Sequence, residues 1–210
     1  MKLNYTKTKE MILGPFSNHN ISDLVIDQNP IERVTGFKLL GVHISSDMSW
    51  NLHVDYICAR ANSRLYFLKL LKRAGLPSDR LVYWYISVVR PVLEYCAVVW
   101  NHSLTKYQID KIEAIQRRAI RIIYSNTANM SYFMSLAHVD LPSLAARRDK
   151  ICRDFFKKVL NTSCCIHHLL PPPRNLQFTS RLRKSSIYPK PFNRTNRYKS
   201  FINYALTNYQ

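Results

Sequence analysis

The stretch "LGVHISSDMSWNLHVD", Leu40–Asp55, decides how the chain is read, because the hydrophobic period changes inside it. It begins within "FKLLGVHI" (Phe37–Ile44), a short apolar run of strand type. After Ser49, apolar residues recur in steps of three and four: Val54, Ile57, Ala61, Leu65 and Leu68. That spacing places them on one buried helix face. Ser49 has the side chain of an N-cap, and Gly75 with Pro77 supplies the stop. Leu40–Ile44 therefore reads as half of a hairpin, Ser45–Ser49 as turn and cap, and Trp50 as the start of a helical region.

The same stretch carries a metal-like spelling. His53-Val54-Asp55 has the His-x-Asp spacing of an iron(II) facial triad, His138-Val139-Asp140 repeats it, and His167-His168 offers a further ligand. A triad needs two histidines and a carboxylate converging on one open site. In a helix with Val54 facing inward, its two neighbours turn sideways, away from a common point. The sequence thus favours a solvated His53 and an Asp55 that complements the helix dipole, with His138–Asp140 in the loop before Pro142.

Outward from this stretch, residues 3–44 read as strands and turns. "MILGPF" (11–16) is a short apolar run and "SNHNISDLVIDQNP" (17–30) is rich in turn residues. Downstream, Ser78 suits the cap of a second helix carrying Leu81, Val82, Tyr85 and Val89, which Pro91 interrupts as a kink or as the first residue of a new turn. "VLEYCAVVW" stays apolar to Trp100. Thr105-x-x-Gln108 spells a capping box. The helix behind it buries Ile109, Ile112, Ala119 and Ile123 and turns Arg117, Arg118 and Arg121 to other faces. Pro142 fits the first turn of another helix with Leu144, Ile151, Phe155 and Val159.

The 210 residues include 31 Lys and Arg against 13 acids, a formal net charge of +18. Such an excess favours a polyanionic partner, nucleic acid first and an anionic membrane second. No apolar run is expected to reach the roughly 18 residues of a membrane span, and "MKLNYTKTKEMIL" lacks the core and cleavage site of a signal peptide. The five cysteines are odd in number and form no C-x-x-C pair, which points to reduced thiols inside the cell, cytoplasmic or nuclear, and away from zinc. After Asp154 the final 56 residues hold ten Lys or Arg and no acid. There "LLPPPRN" reads as an extended linker, and Phe178, Tyr188, Phe192, Tyr198, Phe201 and Tyr204 interleave with bases that include Arg181, Arg183, Lys184, Arg194 and Arg197. Two readings stand side by side: aromatics stack on unpaired bases while cations meet phosphates, or a disordered basic tail docks its aromatics on the folded domain.

Enzyme signatures are sparse. Four glycines build neither a P-loop nor a dinucleotide loop, and no Gly-x-Ser-x-Gly elbow occurs. Two-metal phosphoryl transfer wants clustered carboxylates, whereas these acids are scattered, with no Asp-Asp pair.

Several long segments nevertheless resemble one family in order and spacing. They are "LNYTKTKEMIL" (3–13), the run from Phe37 to Gly75, the run from Tyr85 to Tyr124, "LPSLAARRDKICRDFF" (141–156) and the closing "RTNRYKSFINYALTNYQ" (194–210). Together they are similar to the C-terminal part of non-LTR (LINE-type) retrotransposon reverse transcriptases. The resemblance implies an α+β fold: the end of a palm with its primer-grip hairpin over 1–46, a helical thumb-like domain over 47–162, and a Pro-containing linker with a basic, partly disordered tail over 163–210. It places Lys7 near an incoming nucleotide's triphosphate and Phe37, Lys38 and Gly41 at the primer grip, although Leu39, Leu40 and Val42 also read as core. Arg60, Arg64, Lys69, Lys72 and Arg73, then Arg117, Arg118 and Arg121, become the candidates for a template–primer duplex, each with a solvated charge as its plain alternative. Trp50, Trp84 and Trp100 become thumb core, and Glu94 a partner for Arg90 or another nearby base. In that family the catalytic Tyr-x-Asp-Asp motif precedes the segment matched by residues 3–13. The implied protein binds template–primer nucleic acid without holding the family's Mg2+ ions and does not polymerise by itself. A nucleic-acid-binding or regulatory module co-opted from such an element is the alternative. Residues 31–73 are also similar to a region labelled as the N-terminal domain of an AlkB-like alkylation-repair homologue, which would imply iron oxygenase or methyltransferase-associated chemistry. The residues supply neither a convincing triad nor a glycine-rich methyl-donor site.

Overall fold

The computed structural model describes residues 4–13, 21–127, 129–175, 186–190, 192 and 200–210. Arg181, Arg183, Lys184, Arg194 and Arg197, with Phe178 and Tyr198, lie outside these residues. The chain is α+β and divides into two units, Met1–Tyr56 and Ile57–Gln210.

The first unit is made of short strand pairs. Strand β1 (Lys9–Glu10) pairs in parallel with β4 (Glu32–Arg33), and ion pairs cross this ladder from Lys9 to Glu32 and from Arg33 Nε to Glu10 at 2.7 Å. Arg33 also donates to the carbonyls of Ile21 and Ser22, so one guanidinium ties the loop before β2 to the sheet. Strand β1 therefore precedes the apolar Met11–Leu13. The region read as loop contains a hairpin of β2 (Val25–Ile26) and β3 (Asn29–Pro30). Its turn residues, Asp27 and Gln28, both have positive φ. That is the handedness that matches strand twist in a two-residue hairpin.

The second hairpin, β5 (Gly36–Leu39) and β6 (Val42–Ser45), lies inside the run that decided the fold. Its turn is Leu40–Gly41, with φ of 47° and 88°. Glycine adopts that conformation freely, while leucine does so against a steric penalty. Of the three residues also read as core, only Val42 is buried; Leu39 is half exposed and Leu40 is 83% exposed at the tip. The turn explains the error, since it lifts its first residue off the sheet. Leu40→Asn is expected to stabilise the protein by about 1 kcal/mol, because asparagine tolerates the left-handed region. Urea unfolding of the two proteins checks this, and an unchanged midpoint would argue against strain at the turn.

Helix α1 (Asn51–Arg73) begins one residue later than a cap at Ser49 would place it. The amide of Val54 donates to the carbonyl of Trp50, which makes Trp50 the cap, while Ser49 is held by Ser45 and Asp47. Asp55 consequently lies beyond the first turn. The apolar stripe behaves as its spacing requires: Val54, Ile57, Ala61, Leu65 and Leu68 are all buried. Full burial of a large aliphatic side chain contributes roughly 1.5–3 kcal/mol, so this face, more than helix propensity, holds α1 in place. At its end Leu76 N–H bonds to Leu71 and Gly75 N–H to Lys72, around a Gly75 with φ of 84°. These are the paired bonds of a Schellman stop.

The second unit is helical. Pro77 is the cap of α2 (Ser78–Trp84), with Ser78 already inside the helix. A π turn over Tyr85–Val89 and then α3 (Arg90–Glu94) continue it. Pro91 supplies the cause: it has no N–H, and its ring displaces a carbonyl one turn back. The chain breaks at Cys96, which has positive φ, before α4 (Ala97–Trp100). By length and mean hydropathy (1.3), Ser78–Ser103 is apolar enough to span a membrane, which corrects the expectation that no run would be. Its course is interrupted, however, and its buried residues step by four: Leu81, Tyr85, Val89, Leu93 and Ala97. A regular helix would let such a stripe drift by about 40° per step, and the wider π turn takes up part of that drift.

Helix α5 (Lys106–Ile123) starts with the capping box, Thr105 and Gln108 exchanging bonds of 3.3 and 2.9 Å. It buries Ile112, Ala119 and Ile123, with Ile109 only partly covered. Helix α6 (Tyr132–His138) was not foreseen; His138 is its last residue, and Asp140 follows with positive φ. Helix α7 (Leu144–Val159) is capped by Ser143, one residue after Pro142, and packs against α3, α4 and α5. Leu144 and Val159 are buried as expected, and Cys152 and Phe156 join them.

Part of the basic tail is folded. Helix α8 (Phe201–Asn208) buries Ile202, Ala205 and Leu206 against Phe156 and Val159 of α7. Tyr188 and Phe201 pack on this cluster, and Tyr209 donates to Asp149 at 2.8 Å. The proline segment is tied as well, Arg174 N–H bonding to the carbonyl of Ile187. Among the described tail aromatics only Phe192 is fully exposed, at 89%. No disulfide joins the five cysteines.

Candidate functional site

Helices α1 and α5 lie side by side and run in the same direction, since their contacts advance together. Cys58 meets the carbonyl of Lys111, Arg118 donates to Asn62 at 3.5 Å, and Lys72 Nζ donates to the carbonyl of Ile123 at 2.9 Å. Between them is a groove of about 210 Å³ lined by Asn62, Leu65, Tyr66, Lys69, Arg118 and Ile122. Its floor is apolar, where Leu65 seals the core. Its rim holds the two cations and the ring of Tyr66, which is 60% exposed.

The sequence carries a signal for this groove in its charge pattern. Tyr56–Ser78 contains five basic residues and no acid, and Ala114–Val139 contains three and no acid. Those two acid-free runs are the ones that fold alongside each other. Aligned in parallel, they carry exposed Lys69 and Arg73 on α1 beside exposed Arg118 and Arg121 on α5.

The other candidates are placed differently. Arg64 donates to the carbonyl of Val88 in the π turn, and Lys72 caps the last turn of α5, so both serve the fold. The guanidinium of Arg117 lies over the Tyr132 ring at 4.9 Å. Arg60 is exposed on α1. In the first unit, Lys7 is exposed in a turn, and Lys38 donates to the Tyr56 hydroxyl at 2.8 Å while lying over its ring. Phe37 is exposed beside it and Gly41 forms the hairpin tip.

His53 requires the clearest correction. It is fully buried, and its Nδ1 accepts the backbone N–H of His43 at 3.3 Å. Burial, followed by the nearby His43, pulls its pKa down to about 4. Burial and Lys38 lower that of His43 too, whose ring lies 4.4 Å from Tyr56. Asp55, two residues on and about 200° around the helix, is exposed. The two would-be ligands therefore face apart. Among the described residues no three His, Cys, Asp or Glu side chains gather where they could hold a metal ion.

On the side of α5 turned away from the groove lies a buried polar network that the sequence did not announce. Glu113 accepts from the Tyr132 hydroxyl and from the amides of Leu144 (3.3 Å) and Ala145 (2.6 Å), so its carboxylate caps α7. Arg148, with no exposed surface, lies 4.0 Å from Glu113, donates Nε to Asn101 at 2.9 Å and faces the Trp100 ring. Burial and the bond to Glu113 push the Tyr132 phenol well above its usual range. Glu94 pairs with both Arg147 and Arg90, which extends the expected pairing. Trp100 is core as expected, whereas Trp50 and Trp84 are partly exposed. Comparison with protein-family models, with curated proteins and with solved structures finds no match for this chain.

Proposed function

We propose that the chain binds nucleic acid through the α1–α5 groove, acting as a thumb-like module of the reverse-transcriptase type suggested by its sequence resemblance. The observation that carries this reading is the parallel alignment of two acid-free, basic helical halves around Tyr66. Lys69, Arg73, Arg118 and Arg121 present four cations on one pair of helices in a chain of net charge +18. Phosphate contacts from such cations set register and affinity without reading sequence. The first unit adds an exposed hairpin with Phe37 and Lys38, the segment that resembles a primer grip. Its side chains offer positioning contacts to a strand.

Fluorescence anisotropy with a labelled mixed-sequence oligonucleotide tests the reading. Lys69→Gln combined with Arg118→Gln is expected to weaken binding at least tenfold at moderate salt. Lys157→Gln with Lys158→Gln, which removes two exposed charges from the end of α7, is expected to change it less than threefold. Equal losses from the two pairs would show that net charge alone, and not the groove, attracts the oligonucleotide.

A further inference from the structure

We infer that the α1–α5 groove takes an unpaired base, with Tyr66 as its stacking platform, so that the site prefers single-stranded nucleic acid to a blunt duplex. This rests on the nucleic-acid reading above and narrows it. Tyr66 is 60% exposed and Phe67 beside it is 55% exposed, their rings 5.8 Å apart edge to face. A ring left open to water on a helix surface offers a flat apolar face. Only a partner with its own accessible π-face covers that fully, and the stacked bases inside a duplex have none to give.

The groove around the ring supplies what such a partner also needs. Lys69 and Arg118 line it, with Tyr66, and can meet the flanking phosphates. Asn62, whose Oδ1 accepts from Arg118, keeps an amide able to donate to a base edge. Leu65 and Ile122 give the floor an apolar surface against which a base edge can rest. An acidic peptide would answer the two cations but would leave the Tyr66 ring without a planar partner. The chemistry therefore favours a nucleotide strand.

The test uses the full-length chain with one labelled strand, offered single or annealed to its complement as a blunt duplex. Tyr66→Ala is expected to weaken single-strand binding about tenfold and duplex binding less than twofold, while Tyr66→Phe, which keeps the ring, behaves as the unmodified protein. Circular dichroism confirms that each variant is folded. If Tyr66→Ala weakens both forms equally, or neither, while the Lys69 and Arg118 variants still weaken both, the stacking inference falls and the nucleic-acid reading stands. If neither oligonucleotide depends on Lys69 and Arg118, the underlying reading falls. Displacement of the single strand by poly-glutamate at equal charge concentration would also overturn the inference, in favour of an acidic peptide.

Discussion

Replacing Glu113 by alanine is expected to destabilise the helical unit by about 3–5 kcal/mol, the usual result of removing one member of a buried ion pair. The loss has three parts that act together. Arg148 keeps its charge in a fully buried position, hydrogen-bonded to Asn101 but without the carboxylate 4.0 Å away that balanced it. The amides of Leu144 and Ala145, at the start of α7, lose their acceptor. The Tyr132 hydroxyl, whose ring also anchors Arg117, loses its own. Glu113→Gln keeps one acceptor oxygen and the side-chain volume and should cost less. Adding Arg148→Met to Glu113→Ala should recover part of the loss, since the stranded charge is then gone. Chemical denaturation of the single and double variants measures this. A loss under about 1 kcal/mol for Glu113→Ala would mean that the network does not hold α5 to α7.

The second large effect is a pH dependence from His53. Folded, it gains its proton only near pH 4, against 6.5 for the ordinary side chain. Between those values the unfolded chain binds a proton that the folded chain refuses. Stability is therefore fully present above about pH 6.5 and is lost progressively as the pH falls towards 4. At about 1.4 kcal/mol per pKa unit the shift corresponds to a loss of about 3 kcal/mol. Its physical origin is the burial of the imidazole against the His43 amide, whose N–H needs an unprotonated Nδ1. His53→Gln, neutral throughout, should flatten this part of the profile when urea midpoints at pH 7 and pH 4 are compared. An unchanged difference between the two pH values would show that His53 is solvated when folded. The difference between the two proteins isolates the contribution of His53.

What the sequence revealed and what it hid follow one physical division. The α1 stripe, the Thr105–Gln108 box and the Gly75 stop are set by residues within one or two turns of each other, and they form as their spacing requires. His53 and Arg148 are decided by partners ten and forty-seven residues away, His43 and Asn101, so their burial left no local mark. In "LAARRDK" Arg147 and Arg148 read alike, yet one lies partly exposed on Glu94 and the other is sealed under Trp100. The helix in the tail was not legible, because the tail's charge masks a short apolar face, Ile202, Ala205 and Leu206, that needs α7 to cover it. The groove was half legible: its cations were named individually, but the parallel pairing of α1 with α5 is a long-range fact. The acid-free runs were the visible clue to that pairing.

The most direct measurement is the salt dependence of oligonucleotide binding. If the basic halves of α1 and α5 and their neighbours neutralise about six phosphates, the logarithm of affinity for B-form duplex falls with the logarithm of salt at a slope near −5. Lys69→Gln, Arg118→Gln and Arg121→Gln together should make that slope shallower by about 3, because each removed contact releases about one counterion fewer. A steep slope in the unmodified protein that flattens by this amount is the result predicted. A slope that the triple variant leaves unchanged would contradict the assignment of nucleic acid to this groove.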